Sequence, residues 1–504
     1  MLIRGHLTIN IVEHEPLSDN KRTSEWTSLN PPLALTFDDV LLVPNHSSVS
    51  SRKHCDTSSL LTPKIPLAIP IVSSNMDTVT ESQMAITMAR EGGIGIIHRF
   101  MSVEEQVAQV NSVKRSESIL IEKPYTLSQK SKLKDVWELL EQKSVSGMLI
   151  VDDSDKLTGI LTARDILFED NPDVPVIELM TKDVITAKPD IEISDAKEIL
   201  KQHRIEKLPL VNSDGTLAGL ITTKDITKQK MWPKATKDEK GRLRVGAAIG
   251  VKGDFVERTQ KLIEAECDVI VVDVAHGHSD LVTDTIRKIR SDISDDVQLI
   301  AGNVATAEGT AELISQGVDA VKVGVGPGSI CITRIVAGSG VPQLTAVWES
   351  ARIAQSENIP IIADGGVRTS GDIAKAIAAG ASTVMLGNLL AGTTESPGIP
   401  VQRNGRRVKI IRGMASLGAS LGRESRINGS FDDEFSSIIP EGVEAIVPFR
   451  GSTSETLTQL VGGFRSGMSY VGAQSIPEMW KLAKFARITP AGRKESQSHD
   501  VHQV

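Results

Sequence analysis

The sequence predicts an α/β protein built as a (β/α)8 barrel with a repeated module inserted into it. Short apolar segments alternate with helical patterns rich in Ala, Leu and Ile along most of the chain. A segment that starts at Gly147 recurs at Lys207, an offset of 60 residues. Alternation indicates a parallel sheet that is covered on both faces, whereas the repeat indicates one supersecondary unit used twice.

The barrel is predicted from apolar strand candidates separated by helical patterns such as Thr306 to Gln316 and Gly371 to Ala379. About eight such units over some 350 residues suit a (β/α)8 barrel. The alternative, a doubly wound open sheet, lacks support because no G-x-G-x-x-G motif opens a helix. The strand candidates are Leu67–Val72, Ile94–Ile97, Val269–Val274, Gln298–Ala301, Ala320–Val323, Ile359–Ala363 and Thr383–Leu386.

Polar or glycine-rich residues follow several of these strands. Examples are Asp273, Asn303, the Gly324-Val325-Gly326 tip, Asp364 with Gly365 and Gly366, and Gly387 with Asn388. Catalytic loops of such barrels lie at the carboxyl ends of the strands. These tips are therefore predicted to converge on one site.

The inserted repeat reads in each copy as strand, polar turn, strand and the start of a helix. Helical patterns precede the copies, at Leu133 to Gln142 and Ile193 to His203. Two such units resemble a pair of CBS domains. That resemblance implies an adenine-nucleotide effector held by a Thr-x-x-Asp motif in each copy, because a hydroxyl can meet phosphate and a carboxylate can meet ribose hydroxyls. The alternative is that these residues only cap the helix that follows. The residues are Thr162, Asp165, Thr222 and Asp225.

The predicted organisation places the barrel in residues 31–112 and 232–490, with the repeat pair inserted at 113–231. Residues 1–30 are interpreted as an N-terminal extension. The stretch 420–440, rich in Ser, Gly and charge, is interpreted as a mobile flap, and 491–504 as a polar tail.

Composition excludes several classes of protein. The 504 residues are 40% hydrophobic and 24% charged, which is typical of a soluble globular protein. No apolar stretch is long enough to predict a membrane span. A net charge of -8 and 3% aromatic residues disfavour a nucleic-acid-binding protein. Three widely spaced cysteines, Cys55, Cys267 and Cys331, argue for a reducing compartment, so a cytoplasmic location is expected.

The most specific motif is a glycine-rich loop that begins at Gly324 and ends at Gly338, and that presents Cys331 after an apolar strand. A thiol on such a loop is a candidate nucleophile. The loop and its continuation to Gln343 resemble the active-site loop of the IMP dehydrogenase / GMP reductase family. The resemblance extends from about Leu35 to Asp500.

That resemblance implies a covalent mechanism in which Cys331 attacks C2 of a purine nucleotide. Thr333 and Glu441 would move a proton, and Arg426 in the flap would activate water. Asp364 would bind the ribose. The phosphate would lie against Ser329, Gly365, Gly366, Gly387 and Asn388, and the base would lie against Met76, Gly413, Met414 and Glu441.

The resemblance also implies NAD and potassium as cofactors and a homotetramer or octamer. The nicotinamide end of NAD would lie near Asp273, Asn303, Gly324, Val325 and Gly326. Carbonyls of Gly326, Gly328 and Cys331 would hold the cation, completed by Glu495 of a neighbouring subunit.

Three departures from the family pattern bear on the reaction. Asn388 and Ile411 stand where the family usually has Ser and Tyr at the phosphate, and Ile427 replaces the tyrosine that accompanies the flap arginine. Asn75 resembles GMP reductase. The favoured reaction is oxidation of IMP to XMP. The alternatives are reduction of GMP with NADPH, or a protein that senses purine nucleotides without turning them over.

Overall fold

The computed structural model describes residues 31–117, 120–121, 124–143, 147–416, 418–419 and 439–498. It confirms the predicted barrel. Eight strands, all parallel to their neighbours, close in the order of the chain. They are β1 (Ile71–Ser73), β2 (Ile94–Ile97), β3 (Gly246–Ile249), β4 (Val269–Asp273), β5 (Gln298–Val304), β6 (Ala320–Val323), β7 (Ile361–Asp364) and β8 (Thr383–Leu386).

Seven of these strands overlap the predicted segments, and the alternative of an open sheet is excluded because β8 pairs with β1 and closes the barrel. β3 was not predicted, because its Gly-Ala-Ala-Ile sequence is poor in the β-branched residues that mark a strand. β3 needs a residue without a side chain at Gly246, because the two neighbouring strands approach it closely. A Cβ on Gly246 would lie 2.5 Å from Cδ1 of Ile96 and 2.8 Å from Cγ1 of Val269, on the two neighbouring strands.

Helices cover the outside of the barrel. The helices predicted at 306–316 and 371–379 are found at Ala307–Ser315 and Ser370–Ala378. Thr306 and Thr369 cap them, since each side chain accepts a hydrogen bond from a backbone N–H of the first turn. The covering helices are Ser82–Arg90, Val103–Ser116, Phe255–Glu264, Asp280–Lys288, Ala307–Ser315, Gln343–Ser356, Ser370–Ala378 and Thr453–Val471, with a π-helical turn at Ile289–Ile293.

The barrel interior is a closed apolar core. Alternate residues of the strands point inward, as in Ile94 and Ile96 of β2 and Val269 and Val271 of β4. A hairpin of Ser59–Thr62 and Ile65–Leu67 adds Leu61, Ile65 and Leu67 to this core. The interior is therefore packed rather than hollow, and a ligand has to bind at an end of the barrel.

The repeated segment folds between β2 and β3 as two small units. Each has a three-stranded sheet: one of Thr126–Ser128, Gly147–Val151 and Leu157–Thr162, the other of Leu120–Ile121, Lys207–Val211 and Leu217–Thr222. Helices Leu133–Lys143 and Ile193–His203 lie at the predicted positions, and a short helix spans Val176–Leu179. Each unit has its own buried cluster, for example around Met148 in the first and Leu208 in the second.

The two copies differ after their second strand. Helix Thr223–Met231 follows the second copy as expected, but turns follow Thr162 in the first, so the predicted helix start is wrong there. The boundary placed after residue 112 falls inside helix Val103–Ser116, and that placed after 490 falls inside helix Pro490–Glu495. Residues 1–30, most of the flap and the last residues of the tail lie outside the described ranges.

Smaller elements complete the chain. Val40–Leu42 pairs with Phe485–Arg487, and Val401–Arg403, Arg406–Arg412 and Glu444–Pro448 form a separate antiparallel sheet. Short helical segments lie at Phe37–Asp39, Arg52–His54, Thr333–Val336, Asn388–Ala391 and Ile476–Leu482. Among the described helices, none combines the length and apolar character required to span a membrane.

Candidate active site

Two adjoining cavities open at the carboxyl ends of the barrel strands. The larger has a volume of about 480 Å³ and the smaller about 350 Å³, both within the ~300–1,000 Å³ range of small-molecule sites. The residues that line both are Ser74, Met76, Pro327, Gly328, Ile330, Asp364 and Gly365. The predicted convergence of strand tips is therefore observed, and the two cavities form one divided cleft.

Cys331 lines the smaller cavity at the start of a chain of hydrogen-bonding groups. Its Sγ lies 3.2 Å from Oγ1 of Thr333, whose hydroxyl donates to Oε2 of Glu441 at 2.7 Å. A hydroxyl carries one proton, so a Thr333 that donates to Glu441 can only accept from the thiol. The geometry provides a path for the thiol proton to the carboxylate.

Backbone contacts hold the cysteine loop against the segment that carries Glu441. The N–H of Ile332 donates to the carbonyl of Glu441 at 2.8 Å, and the N–H of Val443 donates to that of Ile330 at 3.0 Å. Gly413 joins the same arrangement, donating to the carbonyl of Val443 at 3.0 Å. The proton path therefore rests on paired backbone rather than on free loops.

The larger cavity contains the residues expected at a phosphate. Gly365 and Gly366 have φ of +89° and +81°, a left-handed conformation that glycine adopts without strain and that follows directly after β7. Nδ2 of Asn388 donates to Oγ of Ser329 at 3.0 Å. Ile411 lines this cavity as an apolar side chain, only 1% exposed. The structure thus brings together the predicted phosphate residues and the family departure at Ile411.

The residues expected at the base line the smaller cavity. Met76 lines both cavities, while Gly413, Met414 and Glu441 line the smaller one. Gly387, in the larger cavity, adjoins Met76, because a Cβ on Gly387 would lie 3.1 Å from Sδ of Met76. A planar ligand placed here would have Met76 and Met414 beside it and Cys331 within the same cavity.

An ion cluster forms the floor of the cleft. Nζ of Lys322, on β6, donates to Oδ1 of Asp273 at 2.8 Å, to Oδ2 of Asp364 at 2.8 Å and to Oδ1 of Asn303. All three ammonium donors are therefore satisfied, although the side chain is only 2% exposed. Nδ2 of Asn303 donates in turn to Oδ2 of Asp364 at 2.9 Å and to the Gly324 carbonyl at 2.7 Å.

The charges of this cluster hold one another in the ionised form. Burial alone would lower the pKa of Lys322, but Asp273 and Asp364 outweigh it and raise that pKa. Burial alone would raise the pKa of Asp273, and Lys322 outweighs it and lowers that pKa. Oδ1 of Asp364 accepts no hydrogen bond from any residue in the described ranges, and Asp364 lines both cavities, so this oxygen can accept one from a ligand hydroxyl.

Sequence reasoning missed Lys322, which connects three of the predicted residues. The available signal was a lysine in the otherwise apolar strand Ala-Val-Lys-Val, where a charge needs partners. Gln343 was also missed. It is fully buried and its Nε2 donates to the carbonyls of Val323 and Asp364 at 2.9 and 3.0 Å, which fixes the spacing of β6 and β7.

The residues expected at NAD lie in the smaller cavity. Asp273, Asn303, Gly324, Val325 and Gly326 all line it. Gly324 has φ +151° and a Cβ there would lie 2.0 Å from the Asp364 carbonyl oxygen, so only glycine lets the chain pass at this point.

Other predicted residues are not brought together. Arg426 lies outside the described residues. Glu495 is the last residue of an exposed helix, which Arg493 joins to Asp38 through a 2.7 Å ion pair. The loop of Gly326, Gly328 and Cys331, whose carbonyls are expected to hold a cation, lies within the described residues. The Gly328 carbonyl oxygen already accepts the N–H of Cys331 at 3.1 Å, so one of its two lone pairs remains for a cation.

The residues expected at a nucleotide effector have different surroundings in the two copies. Backbone N and Oγ1 of Thr162 both donate to Oδ2 of Asp165 at 2.7 Å, so in the first copy the pair closes a turn. Thr222 ends the second strand of the other copy and is half-buried, while the side chain of Asp225 lies outside what the structure describes.

The three cysteines differ in reactivity, which gives a first testable prediction. Burial raises the pKa of Cys267 to about 12 and also raises the pKa of Cys55, whereas Cys331 is partly exposed. The thiolate is the form that alkylates. Iodoacetamide is expected to label Cys331 first, and saturating purine nucleotide should protect it. Peptide mass mapping measures both effects. Preferential labelling of Cys55 or Cys267 would contradict the assignment.

Comparisons with known proteins agree with this geometry. A model of the IMP dehydrogenase / GMP reductase domain matches residues 34–499. An inosine-5'-monophosphate dehydrogenase from Nitrosopumilus maritimus is 55% identical over 469 residues, covering 93% of this chain and 98% of the relative. A GMP reductase from Leishmania donovani is 49% identical over 484 residues, covering 94% and 98%.

A solved structure is similar over nearly the whole chain as well. It is a cysteine-to-alanine variant of GMP reductase from Trypanosoma brucei in complex with guanosine 5'-monophosphate. The TM-score is 0.88 at 47% identity, with 94% of this chain and 99% of the other covered.

Proposed function

This chain belongs to the IMP dehydrogenase / GMP reductase family, and we propose that it oxidises IMP to XMP with NAD+. The observation that carries the proposal is the chain of contacts from Cys331 through Thr333 to Glu441 in the smaller of the two adjoining cavities. One cavity has the residues for a nucleotide phosphate and ribose, and the other has room beside the thiol for a second ligand.

In the first half of the reaction the thiol proton passes through Thr333 to Glu441, and the Cys331 thiolate adds to C2 of the purine. NAD+ supplies the hydride acceptor, so the C2 hydrogen leaves with its electron pair. Asp364 binds the ribose hydroxyls through its free Oδ1 and Met76 and Met414 hold the base, so that C2 stays beside the sulfur. The nucleotide is then joined to Cys331 as a thioimidate.

In the second half, water adds to C2 of the thioimidate. By then Glu441 has released the thiol proton to solvent. One proton of the water passes through Thr333 to Glu441, and the other stays on the purine at N3. The C–S bond breaks, and the Cys331 thiolate takes its proton back from Glu441 through Thr333. IMP, NAD+ and water have then become XMP, NADH and a proton. Arg426 is proposed as the group that activates this water, with Thr333 and Glu441 as a second route.

The residues of the smaller cavity fit the nicotinamide end of NAD. Asp273 offers a carboxylate for ribose hydroxyls, Asn303 has its amide fixed by Gly324 and Asp364, and glycine keeps the wall beside Cys331 open. A volume of about 350 Å³ suits one half of a dinucleotide, with the other half lying outside.

GMP reduction is the alternative, favoured by one observation. Asn75 is 4% exposed and lines the smaller cavity together with Asp273, so the reductase-like residue lies at the proposed cofactor site. The inserted repeats do not separate the two reactions, because GMP reductase relatives match over 98–99% of their own length. The insertion is therefore no sign of a dehydrogenase.

Several assignments remain part of the proposal. A potassium ion would be held by carbonyls of Gly326, Gly328 and Cys331, with Glu495 supplied by a neighbouring subunit of a homotetramer or octamer. An adenine nucleotide would bind the inserted repeats and regulate the barrel.

The test is direct. The pure protein is incubated with IMP plus NAD+, and separately with GMP plus NADPH, while the absorbance of reduced nicotinamide is followed. Appearance of NADH with IMP supports the proposal. Consumption of NADPH with GMP and no reaction with IMP would replace it by the reductase. Absence of both reactions, with nucleotide still bound, would indicate a sensor.

A further inference from the structure

The larger cavity has on its wall an arginine whose charge is not taken up within the described part of the chain. Arg450 lies in the loop between strand Glu444–Pro448 and helix Thr453–Val471, and it lines the cavity with Gly387, Asn388 and Ile411. Within the described ranges, its guanidinium has no hydrogen bond and no ion pair. Its charge is therefore available to a ligand.

The other arginines of this cavity are already engaged. Arg368 is paired with Asp38. Nη2 of Arg334 donates to the carbonyl of Val341 at 2.6 Å, and the stem of Arg334 packs against Gly326 and Gly340. Of the three arginines that line the cavity, Arg450 alone lacks such a partner among the described residues.

The backbone around Arg450 is held at both sides. Its N–H donates to the carbonyl of Gly392 at 2.8 Å, and the carbonyl of Gly451 accepts the N–H of Thr394 at 2.8 Å. The preceding ring of Phe449 lies under the guanidinium of Arg407, 4.3 Å from it. The loop is thus tied to the segment that follows Gly387 and Asn388, which are themselves expected at the phosphate.

Apart from these three arginines, the donors that the cavity lining offers to a phosphate are neutral. These are the N–H groups near Gly365, Gly366 and Gly387, the Ser329 hydroxyl and the Asn388 amide. Ile411, which stands where the family usually has tyrosine, supplies none. A nucleoside monophosphate carries close to two negative charges at neutral pH. An arginine beside the neutral donors would add both charge and a forked pair of N–H groups.

We propose that Arg450 binds the nucleotide phosphate and is the residue by which this cleft selects nucleoside monophosphates over nucleosides. The inference rests on the proposed function only for the placement of a purine nucleotide in the cleft. It does not depend on the direction of the reaction.

The experiment compares binding of IMP, GMP and inosine to the full-length protein by titration calorimetry, with inosine measured by competition. Arg450→Gln is expected to weaken IMP and GMP about tenfold to a hundredfold, as for loss of hydrogen bonds to a charged group. Inosine, which lacks the phosphate, should bind both proteins equally. Arg450→Lys keeps the positive charge but lacks the forked pair of N–H groups, so an intermediate loss of affinity is expected. Nucleotide binding by this variant also shows that a substitution at position 450 leaves the protein folded.

Arg406→Gln is the matched control, because this exposed arginine begins the neighbouring strand Arg406–Arg412 and does not line the cavity. It should bind IMP as the wild type does. Restoring a phenol with Ile411→Tyr in the Arg450→Gln background should recover part of the lost affinity.

Unchanged IMP binding by Arg450→Gln, or an equal loss for inosine, would overturn the inference. The proposed function can fail separately. If IMP binds but is not oxidised and Arg450→Gln still weakens it, the phosphate assignment stands. If IMP is oxidised with an unchanged KM in Arg450→Gln, the function stands and the phosphate assignment fails.

Discussion

Replacing Cys331 with alanine is expected to abolish turnover while the fold and nucleotide binding persist. The thiolate is the proposed covalent centre, so its removal should lower kcat by about 10⁴-fold or more, as for loss of a nucleophile in other enzymes. The side chain is partly exposed, and its Sγ contacts Oγ1 of Thr333 at 3.2 Å. Little packing is lost, so the thermal unfolding midpoint should change by no more than about 1–2 °C.

A matched variant separates the nucleophile from the proton path. Thr333→Val keeps the shape of the side chain but breaks the path between Cys331 and Glu441. General acid–base loss typically lowers the rate about 10²–10⁴-fold, so this variant should retain a measurable rate. Because Thr333 also takes the thiol proton in the first half, and Arg426 is proposed to activate water in the second, covalent nucleotide should not accumulate on Cys331, which mass spectrometry of the quenched protein checks. A Cys331→Ala protein that turns over at the wild-type rate would sink the covalent mechanism.

The barrel could be predicted because its strands are marked locally in the sequence. Ala320–Val323 and Thr383–Leu386 lie at their predicted bounds, since buried parallel strands are short apolar runs between polar tips. β3 was not predicted, because its small residues are required by the neighbouring strands, which lie close to it only in the closed barrel. The repeat was equally readable, except after Thr162, where the first copy turns instead of entering a helix.

The site was predictable residue by residue but not as a network. Glycine tips and Cys331 could be recognised from spacing, and they do line a common cleft. That Lys322 joins Asp273 to Asp364 could not be foreseen, because the three residues lie on different strands and their contact depends on the barrel's curvature. The same holds for Arg450, whose relation to Gly387 depends on pairing between loops far apart in sequence.

Replacing Lys322 with methionine is expected to have the largest effect on stability. The methionine fills a similar volume but leaves Asp273 and Asp364 without their shared cation, on the floor of the cleft. Removing one partner of a buried ion pair costs roughly 3–5 kcal/mol, because an uncompensated charge remains. Urea or thermal unfolding should show a corresponding loss, and turnover should fall with it, since both carboxylates are expected to bind ribose hydroxyls.

The pH dependence identifies the cause. In the wild type the pKa of Asp273 is lowered, so its contribution to stability is present above the unfolded-state pKa and is lost as pH falls through the folded-state pKa. The raised pKa of Lys322 makes its contribution present below the unfolded-state pKa of about 10.4, to be lost only as pH rises beyond it. The cluster should therefore contribute fully at neutral pH.

In Lys322→Met the sign reverses for Asp273. Burial without the Lys322 cation raises the pKa of Asp273 in the folded state, so protonation at falling pH should relieve the cost. The difference in unfolding free energy between wild type and variant should shrink between pH 7 and about pH 4. Lys409→Met is the control, because Nζ of this buried lysine donates to the carbonyls of Thr393 and Ser396 and has no carboxylate at hydrogen-bond distance among the described residues. The loss of unfolding free energy in Lys409→Met should stay constant between pH 7 and about pH 4. A Lys322→Met deficit that also stays constant would show that lost packing, rather than unpaired charge, destabilises the variant.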